Sequence, residues 1–415
     1  MGDNLVHKQP SGLSIFSSSL LVLGNVLGVG VLALPITAGL GGFIPSIVGI
    51  IVLWFVMFLA ALLIAYRIDP SKKNFDIPSF FQRELGTTAK WVAIACNLLI
   101  LYGVLVAYLS GITTMVSVLF PSLANYSIIV LLVYFCLAVS LIIFGLGVLR
   151  KGMFFLMLVL WTCFIIMLVT GLNHFDIKNL HFSAWIYLPI CLPIAVSTFH
   201  FHNIIPTVSR TLNYHKKATY KAIFIGVFIG LIINLTWVTV VLGTLPQNDA
   251  GTMSIVYSNI HGWAANVPMS ELLKSHYFTI AGLIFSIIAV TCSFAANGAG
   301  LFGFIRDLLS TYCKTENKIL VSCVSFLPPL LVTIIYPNLF LSALSVVGGI
   351  GEDILFAVLP AVVIMKIAHI IYKKKGAVRL ARIIGFCMFI IGMFVLLYVL
   401  GQKFDLITLA PHLVK

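Results

Sequence analysis

Three stretches of about twenty residues carry no charge at all: Ile128 to Val148, Met153 to Leu172 and Ile383 to Gly401. A helix rises about 1.5 Å per residue, so each stretch can cross a hydrocarbon core of about 30 Å. Inside a bilayer the backbone must satisfy its own polar groups, which leaves helices as the form such runs can take. Composition agrees. Only 9% of the 415 residues are charged, where a soluble domain carries about 25%. With 61% apolar residues and a mean hydropathy of +1.12, neither a soluble globule nor a disordered chain fits. The fold class expected is an all-α polytopic membrane protein.

Windows of about 19 residues give eleven spans, near 13–40, 44–66, 90–119, 127–148, 152–172, 183–207, 218–243, 275–303, 318–336, 338–365 and 381–401. The distribution of Lys and Arg tests this count. With the N-terminus inside, the inner segments hold 21 of the 25 basic residues and the outer ones hold Lys178, Lys274, Lys403 and Lys415. One span missed in mid-chain would move every later loop to the other side and erase that bias. The expected topology is therefore a cytoplasmic N-terminus and an external C-terminus. The basic residues sit in short loops, among them Lys8, Lys72, Lys73, Arg150 and Lys151, and no aromatic-lined basic groove suggests nucleic acid as a partner. The partners expected are a small-molecule substrate and the lipid bilayer. The eight cysteines form no CxxC or metal-ligand spacing, and no motif implies a cofactor or an oligomeric state.

Two spans are too rich in helix breakers to be plain helices. Span 1 reads SSSLLVLGNVLGVGVLALP, with Gly24, Gly28 and Gly30 around Asn25. Span 6 reads WIYLPICLPIAVSTFHFHNIIP, where Pro189, Pro193 and Pro206 frame Ser197, Thr198, His200 and His202. Each is the first of five spans, and the two halves have opposite orientation. Paired broken helices in inverted halves are the sequence pointer to a secondary transporter with its site at mid-membrane. The expected organisation is a tail (1–12), one five-helix repeat (13–172), a second inverted repeat (183–365), an eleventh helix (381–401) and an external tail (402–415).

Rival classes are less well supplied. No HExxH, GxSxG or paired catalytic aspartates suggest an intramembrane enzyme, and no repeated filter or charge ring suggests a channel.

The motifs carry a resemblance. GNVLGVGVLALP (Gly24 to Pro35), YGVLVAYLSG (Tyr102 to Gly111) and STFHFHNIIPTV (Ser197 to Val208) resemble the span 1, 3 and 6 signatures of the bacterial hydroxy and aromatic amino acid permeases. The likeness is to the tyrosine- and tryptophan-specific members in particular. It implies a LeuT-type fold of the amino acid–polyamine–organocation superfamily, with a 5+5 inverted repeat. It also implies proton-coupled amino acid uptake across the bacterial inner membrane. The sequence departs from the pattern at Asn25, where Thr is common, at His200, where Gly is usual, and at Glu352-Asp353 in span 10, where apolar residues are expected.

Chemistry assigns the candidates. A zwitterion needs donors for its carboxylate, and Gly28, Val29 and Gly30 begin a half-helix with free N–H groups. The carbonyls near Gly24 and Asn25 suit its ammonium. Ser197 and Thr198 offer hydroxyls, Phe199 and Phe201 apolar walls, and Tyr108 a phenol from span 3. His200 is expected to line the cavity. For coupling, acidic groups at mid-membrane are functional by default. Glu352 and Asp353, with His202 as a titratable partner, favour protons. They are adjacent, so at most one should face a given cavity. Thr291 and Ser293 on span 8 are the residues a sodium site would use. The alternatives are a serine/threonine permease, a sodium-coupled amino acid symporter and a divalent-metal transporter of the same fold. The last would need carboxylate or thioether ligands in the breaks, which this chain lacks.

Overall fold

The computed structural model describes residues 10–68, 76–247, 253–315, 317–407 and 409, and for 145–154 the backbone alone. Lys8, Lys72, Lys73 and Lys415, most of the N-terminal tail, half of the C-terminal one, and the side chains of Arg150 and Lys151 lie outside the described residues. Among the described residues, ten helices are long and apolar enough to cross a membrane, and one bent pair makes an eleventh span. The spans are Gly12–Val26 with Gly30–Gly41, Phe43–Arg67, Thr87–Leu119, Pro121–Phe144, Phe155–Leu172, Trp185–Thr211, Lys216–Thr244, His276–Cys313, Lys318–Ile335, Phe340–Ile371 and Lys375–Lys403. The expected count of eleven holds. Spans 8 and 10 run several residues past their apolar cores, because a helix that has left the hydrocarbon can continue through polar residues.

Burial sorts the spans into core and rim. Spans 2, 3, 6 and 7 bury 56–61% of their apolar windows, whereas spans 4 and 5 bury only 17% and 22%. The exposed Ile128, Leu137, Phe155 and Ile165 of the rim form a lipid-facing surface. Glycine sets how closely the core helices meet. Gly226 and Gly230 of span 7, four residues apart, lie against Ser19, Val22 and Val26 of span 1, in the small-xxx-small packing of membrane helices.

The two breaks differ in form. Span 1 bends by 55° between Val26 and Gly30. Its first half ends as the Leu27 N–H bonds to the Leu23 carbonyl, and the Gly28, Val29 and Gly30 N–H groups make no backbone hydrogen bond. Span 6 is interrupted at 199–201, between the helix Leu188–Thr198 and the short helix Ile205–Thr211. It has no comparable bend. The breaks touch each other: a Cβ on Gly30 would lie 2.8 Å from Thr198 Cα. Glycine is required there by close approach.

Two features had no counterpart in the sequence reading. Helix Ile77–Leu85, capped by Asp76 accepting from the Ser79 N–H at 2.7 Å, lies across the end of the bundle. Its Glu84 pairs with Arg67 at 2.8 Å and with Arg83 at 2.9 Å. Lys366 Nζ donates to its carbonyl at 2.6 Å, which joins spans 2 and 10 at one membrane face. At the opposite face, helix Ile255–Ile260 sits on the second half of span 1 and helix Asn266–Leu273 on spans 8 and 3, and the Ala265 N–H between them donates to the Leu32 carbonyl at 2.9 Å.

Candidate functional site

Span 10 widens where its glycines fall. Residues Val347–Glu352 and Ile354–Val358 form π-helical turns, a distortion frequent at functional sites. Gly348 there meets the Pro193 carbonyl and Ser197 Oγ of span 6 so closely that any side chain would overlap them. This contact brings Glu352 to the span 6 break. One carboxylate oxygen lies 2.8 Å from His200 Nδ1, and the other accepts from Ser197 Oγ at 2.6 Å. Glu352 is 2% exposed and His200 14%. A buried carboxylate is thus held by one partner, Ser197, just before the interruption at 199–201 and by another, His200, within it. His200 Nε2 has no partner, and the ring stacks on Phe356 at 4.9 Å.

The neighbouring acid behaves differently. Asp353 is fully buried and neither of its carboxyl oxygens has a hydrogen-bond partner. Adjacent positions diverge around a helix, and only Glu352 meets His200. His202 is fully buried, its Nε2 3.0 Å from the Met57 carbonyl of span 2. It stacks on the other side chain it shares with His200, Phe356, at 4.4 Å.

A cavity of about 400 Å³ leads to this cluster. Its walls include Asn97 and Ile100 of span 3, His200 and Asn203 of span 6, Asn297 and Phe304 of span 8, and Phe356. It runs from His200 to Asp307, whose side chain is well exposed beside Arg306. Toward the other end of span 3, Ser110 ties that span to the turn between spans 9 and 10. Ser110 Oγ donates to the Pro337 carbonyl at 2.5 Å and accepts from the Leu339 N–H at 2.9 Å.

The remaining candidates divide between this region and the surrounding packing. Tyr108 is buried, with its hydroxyl accepting from Asn297 Nδ2 at 3.4 Å, so it borders the cavity through that amide. Phe199 and Phe201 are fully buried, and the aromatic cavity walls are Phe304 and Phe356 instead. Thr198 Oγ1 donates to the Ile194 carbonyl at 2.8 Å and packs on Gly30. Val29 is buried, Asn25 is exposed, and Gly24 lies against Met157 of span 5. Thr291 and Ser293 do not converge. Thr291 Oγ1 is 3.3 Å from Tyr134 Oη of span 4, while Ser293 Oγ lies beside Gly28. Among the described residues no three His, Cys, Asp or Glu side chains are placed to hold a metal ion.

Asn97, Asn203 and Asn297 were absent from the sequence candidates. Asn297 had a usable signal, an amide among the small residues of SFAANGAG, since polar groups at membrane depth face cavities or partners.

Comparison with known proteins gives the same picture over the whole chain. The model of the tryptophan/tyrosine permease family matches residues 11–401. The chain is 26% identical over 369 residues to the tyrosine-specific transport system 1 of Haemophilus influenzae, covering 86% of this chain and 90% of that one. It is 24% identical over 379 residues to the low affinity tryptophan permease of Proteus vulgaris, covering 88% and 89%. Its fold is similar to that of MhsT, solved in complex with L-phenylalanine, with a TM-score of 0.53 at 14% identity over 95% of this chain and 99% of that one. The chain belongs to the tryptophan/tyrosine permease family and has the LeuT-type fold.

Proposed function

We propose that this member of the tryptophan/tyrosine permease family carries an aromatic amino acid across the bacterial inner membrane by alternating access, with protons as the coupling ion. The observation that carries the reading is the Ser197–Glu352–His200 cluster, which meets the cavity at His200. Such a carboxylate can exchange a proton with the cavity through His200, which lines it. One of its partners, His200, belongs to the span 6 break and the other, Ser197, immediately precedes it, so a change in its charge acts on the backbone of the break. Protonation removes the charge that holds His200 and Ser197 together and frees the break to move.

The amino acid carboxylate takes the N–H groups of Gly28, Val29 and Gly30, and the carbonyl end near Gly24 and Asn25 takes the ammonium. Phe304 and Phe356 supply apolar walls. The names of the tyrosine and tryptophan relatives support an aromatic side chain. With the N-terminus cytoplasmic, residues 13–172 and 183–365 form the inverted halves, and the cavity mouth at Asp307 opens to the cytoplasm. The conformation is inward-open. The separate engagements of Thr291 and Ser293 argue against a sodium pair on span 8.

Thermal unfolding of the detergent-purified protein tests the substrate class. Ligand at 100 times its Kd stabilises the folded state by about 2.7 kcal/mol. Tryptophan, tyrosine or phenylalanine should raise the unfolding midpoint, and serine and threonine should leave it unmoved. A shift with serine or threonine alone would replace this reading with a hydroxy amino acid permease.

A further inference from the structure

A second cavity lies at the same membrane face as Arg67 and Glu84, between the end of span 10 and the start of span 11. It measures about 740 Å³, and its wall on span 11 carries Lys375, Arg379, Arg382 and Phe386. These positions recur at four, three and four residues, so they form one face of the helix. Across from them, span 10 and the short turn present Met365, His369, Tyr372 and Lys373. Four cations therefore converge on one cleft. Among the described residues, Lys373, Lys375, Arg379 and Arg382 make no ion pair with any carboxylate.

The orientation rule accounts for basic residues in this loop. It does not account for their continuing two turns into a helix along the wall of a cleft. Unneutralised, they repel one another, so the arrangement calls for an anion. The lower wall identifies its kind. Ile383 and Phe386 line the same cleft and are 50% and 57% exposed. From Lys375 to Phe386 the helix descends roughly 16 Å, from the interface into the hydrocarbon. A free anion would use the upper part alone. A molecule with an anionic head and apolar tails uses both.

We infer that this cleft binds an anionic glycerophospholipid, its phosphate among Lys373, Lys375, Arg379 and Arg382 and its acyl chains against Ile383 and Phe386. Basic pockets between helices at the cytoplasmic face bind such headgroups through charge and shape together. The site is remote from the Glu352 cluster and independent of the transported substrate.

Native mass spectrometry of the detergent-purified protein, titrated with phosphatidylglycerol or phosphatidylcholine, tests the assignment. Wild type should retain phosphatidylglycerol selectively. Arg379→Gln with Arg382→Gln should weaken it about 30-fold, equivalent to about 2 kcal/mol at 1.4 kcal/mol per tenfold. Lys373→Gln with Lys375→Gln, in and beside the turn, should weaken it similarly, which keeps the test open if the arginine variant does not fold. Lys217→Gln with Lys221→Gln, basic residues outside the cleft, should bind as wild type does. Equal binding of the two lipids, or unchanged binding in both cleft variants, overturns the inference. Displacement of the lipid by millimolar inorganic phosphate also overturns it, in favour of a free-anion site.

Discussion

At the scale of single residues, the decisive feature is a side chain that connects distant parts of the sequence. Glu352 and His200 are 152 positions apart, yet they meet at 2.8 Å. The sequence marked each as a departure from the permease pattern, without showing that the departures answer one another. Periodicity cannot show it, because the pairing depends on the close passage of Gly348 over Pro193 and Ser197. Phe199 and Phe201 illustrate the opposite limit. Their type suits an aromatic pocket, but the direction each takes at an interrupted helix follows from tertiary packing, and both are fully buried. The coupling role proposed for Glu352 makes a specific prediction. Glu352→Gln keeps the side-chain shape and a hydrogen bond to Ser197 but cannot ionise. In proteoliposomes it should reduce uphill accumulation to the background ratio while exchange of internal for external substrate stays within about threefold of wild type. Removing one partner of a buried pair outright costs about 3–5 kcal/mol, so Glu352→Ala should be less stable than Glu352→Gln. Uphill uptake by a folded Glu352→Gln protein would remove Glu352 from the coupling step.

At the scale of the elements, the helix count and the location of both breaks were legible, because charge-free length and breaker residues are local properties. The form of the breaks was not. Span 1 bends by 55° and span 6 does not bend comparably, although span 6 holds more prolines. The π-turns of span 10 were also invisible, since Gly348, Gly349 and Gly351 fit ordinary small-residue packing equally well. The structure gives Gly348 a strict role that can be measured. Gly348→Ala places a methyl group on the Pro193 carbonyl and Ser197 Oγ. Overpacking typically costs about 1–3 kcal/mol, and thermal unfolding in detergent should show a clear loss. Gly303→Ala is the counterpart, since its new Cβ meets nothing within 4 Å. Alanine gains up to about 1 kcal/mol over glycine in a helix, so that variant should be as stable as wild type or slightly more so. Equal destabilisation of the two would refute the tight contact between spans 6 and 10.

At the scale of the whole molecule, the structure has a cavity that runs from His200 to the exposed Asp307. The bias of basic residues supports the proposal that the Asp307 end faces the cytoplasm. Asn203 lies in the open cavity, and Ile260 is exposed on the helices that cover the opposite face. Single cysteines at these positions, with the exposed Cys136, Cys313, Cys323 and Cys387 replaced by serine, should report opposite sides. A membrane-impermeant maleimide should label Asn203→Cys in inside-out vesicles and Ile260→Cys in right-side-out ones. Reversed labelling would invert the topology. The most direct measurement of function is uptake of radiolabelled tyrosine, tryptophan and phenylalanine by proteoliposomes holding the purified protein in sodium-free buffer. At least one should accumulate above its equilibrium level when the outside is made acidic, and a protonophore should abolish that accumulation. Background uptake of all three while serine accumulates, or accumulation that requires a sodium gradient, would contradict proton-coupled transport of an aromatic amino acid.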